Sequence, residues 1–180
     1  MAGTGIWADF DEAITFENGD DATVTGLELA YSQKLSTLPA PWNGLLLGAN
    51  LTLVESEADI SSLGVTREIS LPGQSDRVGN LLLGWENDRL SMRLSANYKS
   101  EYLSEISDIE DERLDLYVDA QTFVDFSVSY FLTRNAQLTF EAKNLTDEVF
   151  YVYTGKEDYN AQYEEYGPSY KLSVTLNGLY

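Results

Sequence analysis

Tyr170-Lys171-Leu172-Ser173-Val174-Thr175-Leu176-Asn177 is the last long segment of the chain, which ends at Tyr180. Apolar and polar residues alternate along it, and successive side chains of a β-strand point to opposite faces of a sheet. The segment is therefore predicted to be a strand with one apolar and one polar face. A closing strand of this kind that ends on an aromatic residue is typical of a barrel whose apolar face contacts lipid.

The same period of two recurs along the chain and predicts about eight strands. They cover residues 5–16, 22–36, 44–55, 77–86, 89–102, 121–133, 136–144 and 171–180, and the first is the weakest and most polar. Most are about 9–14 residues long, which exceeds the usual five or six of soluble strands and suits a tilted crossing of a bilayer. Apolar residues do not recur at intervals of three and four, so the pattern argues against amphipathic helices.

The predicted connections alternate between short and long. Residues 37–42, 87–88 and 134–135 form short ones, and residues 58–76, 103–116 and 145–167 form long ones. Outer-membrane barrels show this asymmetry, with short periplasmic turns and long external loops. The predicted fold is all-β, an antiparallel meander of about eight long transmembrane strands that is part of an outer-membrane barrel or closes as one. No linker or second domain is indicated.

Composition narrows the range of functions. The 180 residues include 30 acidic and 11 basic residues, with a net charge of -19, and this balance argues against nucleic acid as a partner. The chain has no histidine and no cysteine, and most serine triads, zinc sites and proton shuttles use one of these residues. We therefore expect no enzymatic activity, no metal site and no cofactor.

The polar faces of the predicted strands carry charged and amide side chains. They are Glu28, Asn50, Arg93, Asn97, Asp125, Glu141, Lys143 and Lys171. In a membrane barrel these residues face the lumen, where they line a translocation path or, as we favour, form ion pairs that steady the wall. In a soluble barrel they face water instead, and the interior is filled by Leu47, Leu51, Leu94, Phe126 and Phe140.

Aromatic residues at the predicted strand ends favour the membrane arrangement. Trp42, Trp85 and Tyr180 lie toward the short turns, and Tyr98 and Tyr102 lie toward the long loops. Membrane barrels carry aromatic girdles at both interfaces with water. Strands in general are rich in aromatic residues, which leaves the soluble barrel open as an alternative.

Three segments of the chain resemble a known family, the TonB-dependent outer-membrane receptors. Residues 19–29, with Gly19-Asp20-Asp21-Ala22 and Gly26-Leu27-Glu28-Leu29, resemble a strand segment of these receptors. Lys143-Asn144-Leu145-Thr146-Asp147-Glu148 is similar to the segment before their last external loop, and Tyr166-Gly167-Pro168-Ser169-Tyr170 to the opening of their final strand. Pro168 stands where the family usually has Arg, and Tyr180 where it commonly has Phe.

The resemblance implies a barrel of about 22 strands with a plugged lumen, in the outer membrane of a Gram-negative bacterium. Such receptors import siderophores, vitamins or carbohydrates, driven by the TonB complex. Residues 1–180 would be a single C-terminal barrel segment without a plug domain. Its expected partners are outer-membrane lipid, the remainder of the barrel and plug, a small-molecule ligand and, through an N-terminal part absent here, the TonB complex.

Two predicted loops carry candidate binding residues. Residues 150–166 include Tyr151, Tyr153, Tyr159 and Tyr163, which either stack on a ligand or, as we favour, pack within the loop. Residues 101–115 hold seven acids and suggest a cation site or, in the favoured interpretation, a solvated outer loop.

Two other functions remain open from the sequence. One is a self-standing eight-stranded outer-membrane barrel that serves as an anchor or adhesin. The other is a soluble β-barrel that binds a small apolar ligand.

Overall fold

The computed structural model describes residues 21–62 and 64–177. The predicted strand at residues 5–16 and the aromatic terminus at Tyr180 lie outside the described residues. In chain order the strands are β1 (Ala22–Lys34), β2 (Leu45–Ser62), β3 (Val65–Ile69), β4 (Arg77–Glu86), β5 (Leu90–Lys99), β6 (Tyr102–Glu105), β7 (Leu116–Val118), β8 (Gln121–Thr133), β9 (Ala136–Lys143), β10 (Phe150–Thr154), β11 (Asn160–Glu164) and β12 (Ser169–Leu176). Among these residues, no helix is long and apolar enough to span a membrane.

The long strands form one antiparallel meander in the order β1-β2-β4-β5-β8-β9-β12, and β3 pairs with the outer end of β2. This confirms the predicted fold class. Strands β4 and β8 begin and end where the alternation predicted. Within the described residues the meander is not closed, because no ladder joins β1 to β12.

Short polar turns connect the strands at one end of the sheet. At the turn between β4 and β5, the Asn87 Oδ1 atom accepts hydrogen bonds from the backbone N–H groups of Arg89 and Leu90, each at 2.8 Å. Asparagine favours tight turns because its side chain can replace a backbone acceptor in this way. The longer turn after β1 contains a 3-10 turn over Trp42–Gly44, and the Trp85 indole N–H donates to the Pro41 carbonyl at 2.8 Å.

The register gives the sheet two chemically different faces. On the apolar face, Leu47 pairs with Leu83, Leu83 with Leu94, and Leu94 with Phe126. On the other, the polar face, Arg93 pairs with Ser127 across the same strands. Because directly paired residues lie on one side of a sheet, the alternation along each strand extends sideways into continuous bands.

The apolar face is exposed instead of buried. Leu81 and Leu172 are 62% and 69% exposed, and among the described residues of β1, β4, β5, β8, β9 and β12, Ala142 is the one buried hydrophobic side chain. The leucines and phenylalanines that a soluble barrel would hold inside, on β2, β5, β8 and β9, all lie on this face. Transfer of each such side chain out of water gains about 1.5–3 kcal/mol, which a lipid environment supplies.

The long connections fold into a second structure that the sequence pattern did not predict. Strands β6, β7, β10 and β11 form a four-stranded sheet in the order β11-β10-β7-β6. We define the loop layer as residues 55–76, 100–119 and 145–167, which hold this small sheet, β3 and the outer half of β2. Its small hydrophobic core contains Ala58, Ile69 and Leu103.

Candidate ligand surface and polar face

The eight polar residues selected from the sequence lie on one face of the main sheet. Glu28 is opposite Thr52, Asn50 is opposite Asn80, and Asn80 is opposite Asn97. The band from Arg93, also on β5, through Ser127, Glu141 and Lys171 continues this face across three more strands. Asp125 and Lys143 follow at the same two-residue spacing along β8 and β9.

Cross-strand contacts engage several of these side chains with their neighbours. The Lys171 ammonium lies 3.1 Å from a Glu141 carboxylate oxygen. The Asn80 amide donates to the Asn50 Oδ1 atom at 2.6 Å. Such contacts hold adjacent strands in register and satisfy polar groups, which is what a stiff wall requires.

The polar face ends near the short turns in a cavity of about 1000 Å³. Its wall includes a charge cluster centred on Glu86. One Glu86 carboxylate oxygen lies 2.7 Å from the Lys34 ammonium, and the other lies 3.8 Å from the Arg93 guanidinium. Arg93, expected to line a lumen, therefore also belongs to a three-residue ion-pair network that joins β1, β4 and β5.

The Asn144 segment is a structural turn. Asn144 is buried and has a φ of 56°, a conformation that Asn tolerates better than most residues. Its Oδ1 atom accepts from the Glu148 backbone N–H at 2.8 Å, and its Nδ2 atom donates to the Glu148 carbonyl at 3.1 Å. Its own backbone N–H donates to the Asp125 Oδ1 atom at 2.9 Å, so Asp125 helps to hold this turn against β8.

An ion pair joins β3 to the small sheet. The Arg67 guanidinium makes two hydrogen bonds to Asp115, one of them at 3.3 Å, and the Asp115 side chain is fully buried. The hydrogen bond to Asp115 raises the pKa of Arg67 above its usual value. The Gly155 backbone N–H donates to the Asp115 carbonyl at 2.9 Å, which links this pair to the end of β10.

A row of tyrosine rings crosses the small sheet from its core to its outer strand. The Tyr117 and Tyr153 rings stack at 5.4 Å, the Tyr153 and Tyr151 rings lie 6.2 Å apart, and the Tyr151 and Tyr163 rings meet edge to face at 6.4 Å. Tyr117 pairs with Tyr153, and Tyr151 pairs with Tyr163, so all four lie on one face. We call these four residues the tyrosine row.

The row changes from buried to exposed along its length. Tyr153 is 7% exposed, and its hydroxyl donates to a Glu101 carboxylate oxygen at 2.8 Å. The pKa of Tyr153 is raised well above its usual range, mainly by burial of the side chain and secondly by this hydrogen bond. Tyr151 is half-buried, whereas Tyr163 and Tyr159 are 56% and 64% exposed. Of the four tyrosines predicted to contact a ligand, Tyr153 is thus out of reach.

Several acids of residues 101–115 have protein partners. Glu101 accepts from Tyr153, Asp115 from Arg67, and Asp111 from the Arg113 guanidinium at 2.7 Å. Among the residues that the structure describes, no group of three or more His, Cys, Asp or Glu side chains is placed to hold a metal ion. Three acids of this segment thus take part in the folding of the loop layer, and one of them, Asp115, is fully buried.

Comparison with known proteins connects these features to a family. A family model described as "TonB dependent receptor-like, beta-barrel" matches residues 3–145. The chain belongs to the TonB-dependent receptor family. The matched residues end at Leu145 and include both faces of the main sheet from β1 to β9. The match places this TonB-dependent receptor chain in the outer membrane of a Gram-negative bacterium, within a family of transporters that are not enzymes.

A solved structure agrees on the fold of this TonB-dependent receptor chain. The crystal structure of the siderophore receptor PiuA from Acinetobacter baumannii superposes with a TM-score of 0.61 at 18% sequence identity. The alignment covers 86% of this chain and 22% of that receptor, so the chain spans about a fifth of that receptor's length. A comparison with curated protein sequences gives no match.

Proposed function

We propose that this chain is a C-terminal wall segment of a larger TonB-dependent receptor that carries a small-molecule ligand across the outer membrane. The observation that carries the proposal is the open meander, with one exposed apolar face and one polar, cross-linked face. A sheet in lipid must pair its edges, because unpaired backbone groups there cost several kcal/mol each. Further strands of the same receptor are the simplest partners for the edges of β1 and β12.

In this arrangement the apolar face contacts lipid and the polar face lines the lumen. Contacts with neighbouring residues favour a wall role for five of the eight predicted lumen residues, which are Asn50, Arg93, Asp125, Glu141 and Lys171. A plug would occupy the space enclosed by the wall, and the charge cluster around Glu86 would face it at the periplasmic mouth. The loop layer would then project outside the cell, where a ligand first meets the receptor.

A siderophore is the first ligand class to test. PiuA, whose fold the chain shares, is a siderophore receptor, and TonB-driven import is the transport that the family resemblance implies. Vitamins and carbohydrates are the other two classes that the resemblance implies. Exposed tyrosines in the loop layer are compatible with a planar or cyclic chelate, since aromatic rings provide rigid contact area at low entropic cost.

The test is uptake by Gram-negative cells whose own iron receptors have been deleted and which express the intact receptor that contains this chain. We expect accumulation of ⁵⁵Fe from at least one ferric siderophore, and its loss when the proton gradient is collapsed by an uncoupler. Labelled cobalamin and maltodextrin serve as matched cargoes of the other two classes. Iron uptake that persists after uncoupling would contradict TonB-driven transport, and uptake of cobalamin or maltodextrin alone would contradict the siderophore as the ligand.

A further inference from the structure

We propose that the exposed end of the tyrosine row, formed by Tyr151 and Tyr163 on β10 and β11, binds a cationic group of a small ligand. The cation is a protonated amine or a guanidinium, and the same surface disfavours an anionic chelate. This inference rests on the proposed function, because it specifies the charge of the ligand that the receptor takes. The four tyrosines lie on one face of the small sheet, which is packed at the end of Tyr117 and Tyr153 and exposed at the end of Tyr163.

Among residues 21–62 and 64–177, no side chain covers one half of this face. Tyr117 and Leu103 at the inner end pack in the loop-layer core, and the Tyr153 ring is buried beside them. At the outer end, the Tyr163 ring is more than half exposed, and its edge-to-face contact with Tyr151 fixes its orientation. The Tyr151 hydroxyl donates to the Glu157 carbonyl at 2.6 Å, which holds this ring in place.

Charge complementarity indicates which ligand this open face suits. Acidic residues lie at both ends of the row: the Glu101 carboxylate accepts from the Tyr153 hydroxyl, and Glu157 is the residue whose backbone carbonyl accepts from Tyr151. The nearby bases Arg67 and Arg113 are already paired with Asp115 and Asp111. Lys156 is exposed in the connection between β10 and β11, but Glu157 and Asp158 follow it directly and outweigh its charge.

Aromatic faces and carboxylates attract the same kind of ligand. The electron-rich face of a tyrosine ring attracts a cation placed over it, and surrounding carboxylates add long-range attraction. An anionic ligand would meet repulsion from the same groups, and the two nearby guanidinium groups, of Arg67 and Arg113, are already paired with carboxylates. A small cation fits better than a basic protein segment, because the open part of the row presents only two rings.

The experiment compares three ferric tris-hydroxamate chelates that differ only at a pendant chain. One carries a free ammonium group, one its neutral N-acetyl derivative, and one its anionic N-succinyl derivative. Binding to the intact receptor in detergent is measured by quenching of tryptophan fluorescence. We expect the affinity to fall from the cationic to the neutral to the anionic chelate, by roughly tenfold over the series.

Variants localise the effect. Tyr163→Leu removes the ring and should abolish the preference for the ammonium chelate, whereas Tyr163→Phe keeps the ring and should retain it. Glu157→Gln should weaken the preference and leaves the backbone carbonyl that holds Tyr151. Tyr98→Leu, on the apolar face of the main sheet, is the matched control and should change nothing.

The possible results separate this inference from the proposed function. Equal or reversed affinities across the series, or a preference that survives Tyr163→Leu, overturn the inference and leave siderophore transport standing. The same holds if none of the three chelates binds while another siderophore is transported. If no siderophore binds or enters, both proposals fail.

Discussion

Loss of the buried Arg67–Asp115 ion pair should open the loop layer without unfolding the main sheet. In Asp115→Ala the Arg67 guanidinium keeps its charge but loses both hydrogen bonds, in a site where its side chain is only 18% exposed. Removing one partner of a buried pair typically costs about 3–5 kcal/mol. Because Arg67 retains some contact with water, we expect the lower end, about 3 kcal/mol, in the free energy of local opening.

Hydrogen–deuterium exchange of the intact receptor in detergent measures this opening directly. A loss of about 3 kcal/mol corresponds to a fall of roughly a hundredfold in the protection of β7 and β10 amides, since each tenfold is about 1.4 kcal/mol. Protection of β5 and β8 in the main sheet should not change, because neither strand contacts the pair.

Two further variants test the reasoning. The double substitution Arg67→Met and Asp115→Leu should restore most of the protection, because an apolar pair of similar size leaves no unpaired charge. Arg113→Met, which removes the exposed pair with Asp111, is the control and should leave protection as it is. If Asp115→Ala changes β7 protection no more than Arg113→Met does, the proposed role of the buried pair is refuted.

Three further predictions concern the same layer. The folded layer favours the neutral form of Tyr153, whose pKa is raised. This preference contributes its full stability below pH about 10, the pKa of tyrosine in an unfolded chain. The contribution is lost progressively as the pH rises above that value. Loop-layer protection should therefore fall more steeply above that pH in the parent than in Tyr153→Phe, because burial also raises the pKa of Tyr117 and that tyrosine remains. At neutral pH, Tyr153→Phe costs about 1 kcal/mol through its lost bond to Glu101. Asn144→Ala should destabilise the turn after β9 by about 2–4 kcal/mol, measured by amide exchange, because it combines a disfavoured positive φ with unpaired buried groups. Gly155→Ala should disrupt the loop layer severely, because a Cβ there would lie 2.5 Å from the Arg113 carbonyl oxygen; amide exchange of β7 and β10 checks this.

Each of these predictions has a matched control. Tyr159→Phe should leave the alkaline sensitivity intact, since Tyr159 lies on the surface. Asn144→Gly should cost less than Asn144→Ala, because glycine adopts a positive φ freely. Gly167→Ala meets no atom within 4 Å and should cost only the backbone strain. Equal effects of Gly155→Ala and Gly167→Ala would show that the close approach is unimportant.

The main sheet was predictable because its strands are long and two-faced. In β5, Met92, Leu94 and Ala96 alternate with Arg93, Ser95 and Asn97, and this pattern determines the strand and its faces. The outer half of β2 escaped prediction because its inward residues include Ser56 and Ala58, which are small and give weak alternation.

The loop layer was not predictable from periodicity. Strands β6, β7, β10 and β11 have only three to five residues each, too few to show a period. The tyrosine row depends on the register between β7, β10 and β11, which no local pattern encodes. Arg67 and Asp115 are 48 residues apart, and nothing in either neighbourhood indicates the pair.

One of the three segments that resemble the family, Lys143 to Glu148, has a physical explanation in the structure. Asn144 and Glu148 exchange side-chain and backbone hydrogen bonds, and the Thr146 hydroxyl donates to the Thr122 carbonyl at 2.7 Å. The segment therefore fixes how the chain leaves β9 for the loop layer. The motif is visible in the sequence, but its structural role is visible only from the hydrogen bonds that it makes with β8.

The most direct test of the account is the direction in which β5 side chains point in a bilayer. The chain has no cysteine, so single cysteines at positions 92–97 can each carry a spin label in a receptor whose cysteines outside this chain are replaced by serine. In the intact receptor in lipid vesicles, we predict high accessibility to oxygen at positions 92, 94 and 96, and lower accessibility at 93, 95 and 97. The reverse pattern, or no alternation, would contradict the assignment of the apolar face to lipid.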